Sequence, residues 1–81
     1  MVKHEHVDLY KTSDLSLATA LSFFVPLVKA EHTDSKKVLL VFQKTDRVME
    51  LVDMYWRNEL RVEPQEYFNQ LKHIKTRIYS L

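Results

Sequence analysis

Leu27-Val28-Lys29-Ala30-Glu31-His32-Thr33-Asp34-Ser35-Lys36-Lys37-Val38-Leu39-Leu40-Val41-Phe42-Gln43 reads as two extended segments joined by a polar link. The linking Thr33-Asp34-Ser35-Lys36 is turn-prone, so Leu27–His32 and Lys37–Gln43 predict an antiparallel hairpin. Val38-Leu39-Leu40-Val41-Phe42 is apolar at every position, the pattern of a central strand with both faces at least partly covered. Its partner places Lys29 and Glu31 on one face and belongs nearer the sheet edge.

C-terminal to the hairpin, Thr45-Asp46 is a helix-start signal. Val48, Leu51, Val52 and Tyr55 follow at i, i+3, i+4, i+7, one apolar stripe along a helix. A polar link, Arg57-Asn58-Glu59, and an extended Arg61-Val62 lead to a third helix. Pro64 suits its first turn, Glu63 its cap and Glu66 its positive end. Tyr67, Leu71, Ile74 and Ile78 form its predicted buried face, and Lys72, His73, Lys75 and Arg77 suit its C-terminal half.

N-terminal to the hairpin, Val7-Asp8-Leu9-Tyr10 alternates weakly and predicts a short edge strand. Thr12-Ser13-Asp14 starts a first helix, with Ser13 the expected N-cap. Leu17, Ala18, Leu21, Phe24 and Val25 give that helix an apolar face, and Pro26 ends it by about Val25. The expectation is one α+β domain over residues 1–81, in the order β-α-β-β-α-α. An antiparallel hairpin and a short third strand are packed by helices.

The chain is 46% hydrophobic and 28% charged, which places it among globular sequences. It has no cysteine, so neither disulfides nor thiolate metal sites support it. It also has no glycine, where average usage predicts roughly six. Phosphate-cradling P-loops and dinucleotide fingerprints are thereby excluded, since both need backbone without Cβ close to phosphate. The longest apolar run, Val38 to Phe42, is too short to cross a bilayer, and the first six residues lack a signal-peptide core. A cytoplasmic location without membrane association is expected.

The run from Val38 to Tyr79, VLLVFQKTDRVMELVDMYWRNELRVEPQEYFNQLKHIKTRIY, resembles a family of small prokaryotic and phage proteins known only as a domain of unknown function. The resemblance lies in the strand ending Val41-Phe42, the Thr45-capped helix with Tyr55 near its end, and the Leu60-Arg61-Val62 link. The terminal helix from Leu71-Lys72 to Ile78-Tyr79 completes it. Asp14-Leu15 and the alanine-containing first helix are compatible with the family's front half. The resemblance implies a glycine in the hairpin, which this chain lacks, and it implies no established activity.

His4 and His6 would share one face of a strand, and His32 or a carboxylate could add a metal ligand. A zinc site needs three or four convergent ligands, so solvated histidines are the better reading. Asp46, Glu50 and Asp53 lie along one side of the second helix, the ordinary wet face opposite an apolar stripe. Ser13, Ser16, Ser22, Ser35 and Ser80 show no nucleophile elbow. No catalytic residue, metal or cofactor is expected, and no small-molecule ligand is evident.

Two surfaces remain. Met49, Met54 and Trp56 lie off the second helix's apolar stripe, and such residues anchor protein interfaces. Phe68, Lys72, Lys75 and Tyr79 fall at i, i+4, i+7, i+11 on the third helix, with Arg77 and Arg61 as further cations. Lysines contact phosphates and aromatics stack on bases. The favoured reading is a non-enzymatic interaction protein, a homodimer or assembly subunit, whose partner is itself or another protein. The alternative is nucleic-acid binding through the basic face of the C-terminal helix. A net charge of +1 gives no bulk pull toward nucleic acid, so that alternative rests on where the charges sit.

Overall fold

The apolar strand of the hairpin occupies the middle of the sheet in a computed structural model, which describes residues 8–80. The elements run β1 (Leu9–Thr12), α1 (Leu15–Leu21), β2 (Lys29–His32), β3 (Val38–Gln43), α2 (Asp46–Trp56) and α3 (Pro64–Tyr79). This is the expected β-α-β-β-α-α order. β3 pairs antiparallel with β1 on one side and β2 on the other. The register sets Tyr10 opposite Phe42, Thr12 and Ala30 opposite Leu40, and His32 opposite Val38. Because side chains alternate along a strand, Tyr10, Ala30, Val38, Leu40 and Phe42 share one face. That face meets Leu17, Leu21, Val48, Leu51 and Ile74 from the helices in a single core.

The outer face has a smaller apolar centre of its own. Lys11 and Lys29 both stand opposite Val41, which is 0% exposed although it lies outside the core cluster that the described helices build. Glu31 draws both ammonium groups across the face, at 2.9 Å to Lys11 and 3.3 Å to Lys29. The charged ends of both lysines stay open to water. Hydrogen bonds from Lys11 and then Lys29 hold the Glu31 carboxyl below its ordinary pKa. On the inner face, burial pushes the Tyr10 phenol up, with the charge of Asp14 adding to it.

The N-cap of α1 is Asp14 rather than the expected Ser13. The Thr12 hydroxyl accepts from Asp14 N–H at 3.0 Å, which turns the Asp14 carboxylate to accept from Leu17 N–H at 3.1 Å. α1 also ends at Leu21, short of Val25. Ser22 caps it through Ala18 and Ala20 carbonyls, and a tight turn carries Phe23 to Val25. Phe24 therefore leaves the apolar face and is 41% exposed. β1 lies at Leu9–Thr12, two residues beyond the expected strand, whose Val7 falls outside the described residues. Arg61-Val62 belongs to the irregular link between α2 and α3.

α1 is buried from Leu17 through Leu21, because it lies between the sheet, α2 and α3. Its Ala18 and Ala20 let those neighbours approach closely. Thr45 caps α2 by accepting from Val48 N–H at 3.1 Å, and Glu63 caps α3 by accepting from Glu66 N–H at 2.8 Å. α3 is the peripheral helix. Ile74 is fully buried there, whereas Tyr67, Leu71 and Ile78 are half-buried. No described helix is long and apolar enough to cross a membrane.

Turns manage without glycine by placing other residues in the left-handed region. Lys36 takes φ 66° in the hairpin turn and Asn58 takes φ 61° after α2. Asn58 N–H donates to Tyr55 O and Glu59 N–H to Met54 O at 2.9 Å. These two bonds are a Schellman closure, which satisfies carbonyls that the helix end leaves free.

Candidate nucleic-acid interface

α3 is set by its cap, by Pro64 at its start and by an apolar face centred on Ile74. With about 100° between successive residues, Phe68, Lys72, Lys75 and Tyr79 fall within a sector of about 60°. That sector flanks the buried face and is open to solvent. Phe68 is 61% and Tyr79 81% exposed, and both lysines are exposed. Neither lysine has an ion-pair partner among the described residues, whose pairs involve Lys11, Lys29, Arg47 and Arg57.

Phe68 is held from one side. Its ring meets Tyr67 edge-on at 6.2 Å, and Tyr67 stacks on Phe23 at 6.5 Å. The Tyr67 hydroxyl donates to the Ser16 hydroxyl at 3.2 Å, and Ser16 also bonds the Tyr55 hydroxyl at 2.7 Å. Tyr67 thus ties α3 to α1, and Ser16 carries the link on to Tyr55 of α2. The sequence marks this junction only indirectly, through two tyrosines on two apolar stripes whose polar tips need partners.

Arg77 and Arg61 do not join the stripe. Arg77 lies nine residues from Phe68, which puts it half a turn away on the opposite flank of the buried face. Arg61 precedes the helix, and its guanidinium donates to Asn58 O at 2.7 Å and Leu60 O at 3.3 Å. The stripe is therefore two aromatics with two lysines between them. Its electrostatics are still one-sided. From Tyr67 to Leu81 the chain has Lys72, Lys75 and Arg77 and no Asp or Glu, so the rest of the chain carries an excess of carboxylates.

The other candidate surface divides. Met49 and Trp56 are seven residues apart and share a flank of α2, whereas Met54 lies about 140° around from Met49. Met49 and Met54 are half-buried, and Met49 packs against the core. Trp56 is 63% exposed, with its ring edge-to-face on Tyr55 at 5.1 Å.

Asp46, Glu50 and Asp53 are exposed, and Glu50 pairs with Arg47 at 3.4 Å. His32 is exposed at the end of β2, while His4 and His6 lie outside the described residues. Among the described residues no three His, Asp or Glu side chains gather as a metal site would require. Ser22 donates to Thr19 O and accepts from Gln70, which links α1 to α3. An open apolar cleft of about 220 Å³, which the residue patterns do not foreshadow, lies between Val25, Pro26, Val28, Gln43, Thr45 and Val48. Beside Thr45, Arg47 reaches over the ring of Phe24 at 5.9 Å.

No curated protein and no solved structure matches the chain. The family described as Domain of unknown function (DUF5659) matches residues 7–80, which include every described element from β1 to α3. The chain belongs to that family.

Proposed function

We propose that this chain is a non-enzymatic binding protein and that the outer stripe of α3 is its contact with nucleic acid. The observation that carries the reading is the pairing of exposed Phe68 and Tyr79 with Lys72 and Lys75 on a helix face free of carboxylates. Lysines there can approach phosphates, and the aromatic faces are open to bases. The location of charge, rather than its small net value, supports this partner.

A gel-shift screen over single- and double-stranded DNA and RNA at low salt tests it. Binding is expected with at least one of them, weakened tenfold or more by Lys72→Glu with Lys75→Glu. Both lysines are exposed, so the double variant keeps its fold. No shift with any nucleic acid, or binding indifferent to the charge reversal, overturns the reading.

One observation favours a second reading. Trp56 is 63% exposed on the flank it shares with Met49, and exposed tryptophan is a common anchor of protein interfaces. Self-association through that flank predicts a dimer by light scattering that Trp56→Ala dissociates. A monomer at all concentrations would contradict it.

A further inference from the structure

We infer that α3 is a two-anchor ladder for a single strand of nucleic acid, in which Phe68 and Tyr79 each stack on a base and Lys72 and Lys75 contact phosphates between them. The inference rests on the nucleic-acid reading above and narrows it to one class of ligand. Stacking requires an unpaired base, because a duplex hides its base faces and offers only edges in its grooves. An exposed phenyl ring one turn from a lysine is suited to the open face of a base, and it has no hydrogen bond to offer a base edge.

The spacing adds a length requirement. Phe68 and Tyr79 are eleven residues apart on one uninterrupted helix, so they stand about 16 Å apart along its axis. Bases stacked at about 3.4 Å bridge that distance in about five nucleotides. The lysines occupy the interval, one and two turns beyond Phe68, where the backbone of such a strand must pass. Two anchors on a rigid rod give a threshold: a strand too short to reach both gains from one only.

Fluorescence anisotropy with labelled oligothymidylates of about two to about ten nucleotides, and a duplex of matching length, tests the ladder. Affinity is expected to step up about tenfold once the strand spans both rings. Phe68→Ala or Tyr79→Ala should abolish the step, and Lys72→Glu with Lys75→Glu should weaken every length. Both aromatics are exposed, and circular dichroism checks that each variant is folded. A smooth rise with length in wild type, a step that survives both alanine variants, or a duplex bound as tightly as the single strand overturns the ladder while leaving nucleic-acid binding standing. Absence of binding at every length and to the duplex removes both.

Discussion

Lys36 and Asn58 hold the left-handed backbone that glycine takes in most turns. Their costs differ. Asn tolerates that region, since its short amide can bond locally, whereas Lys gains nothing there and its Cβ crowds the following carbonyl by about 1–2 kcal/mol. Glycine at the same point costs the folded state about 0.5–1 kcal/mol in lost freedom, so the exchange at Lys36 should favour folding on balance. Lys36→Gly is therefore expected to stabilise the protein by about 0.5–1 kcal/mol, and Asn58→Gly by less, both measured by urea denaturation. A destabilised Lys36→Gly would contradict that account of the turn. The glycine that the family resemblance implied in the hairpin fits the same conclusion: this chain forms the turn with a residue that strains it.

At the scale of elements, the signals that could be read were those where one residue type has one role. Thr45, Glu63 and Pro64 occupy the positions their chemistry predicts. Ser13 and Asp14 are both good caps, and the choice between them depends on the Thr12 hydroxyl, whose aim is set by tertiary structure. Similarly, apolar spacing continued α1 through Phe24 and Val25, but the helix closes at Leu21 through Ser22. The strand pattern of β3 was legible because Val38 to Phe42 are all apolar, whereas the placement of Val41 opposite Lys11 and Lys29 depends on a register that the sequence does not state. The stripe on α3 was legible from spacing, but the expectation that Arg77 joins it was not met, because nine residues from Phe68 put it half a turn away. The folding of Arg61 onto its own backbone was not. The capping account predicts that Thr45→Ala costs about 1 kcal/mol, read as a lowered urea midpoint with unchanged slope. No loss would mean that packing of Val48, Leu51 and Val52 alone sets where α2 begins.

At the scale of the whole molecule, the helices cover one face of a three-stranded sheet, with α1 in the centre and α3 at the periphery. A helix that buries Ile74 fully and Tyr67, Gln70, Leu71 and Ile78 by half leaves most of its surface to solvent, and α3 is also where the chain's cations outnumber its carboxylates. The core and the candidate surface are thus two sides of the same helix, which is why Phe68 and Tyr79 can be exchanged without opening the core. The salt dependence of binding to a single-stranded oligonucleotide, followed from about 50 mM to about 200 mM salt, tests this most directly. Two lysine–phosphate contacts predict a slope of about −1.4 in log affinity against log salt, flattened by Lys72→Glu with Lys75→Glu. A slope near zero, or one that the charge reversal leaves unchanged, would contradict the assignment of α3 as the binding face.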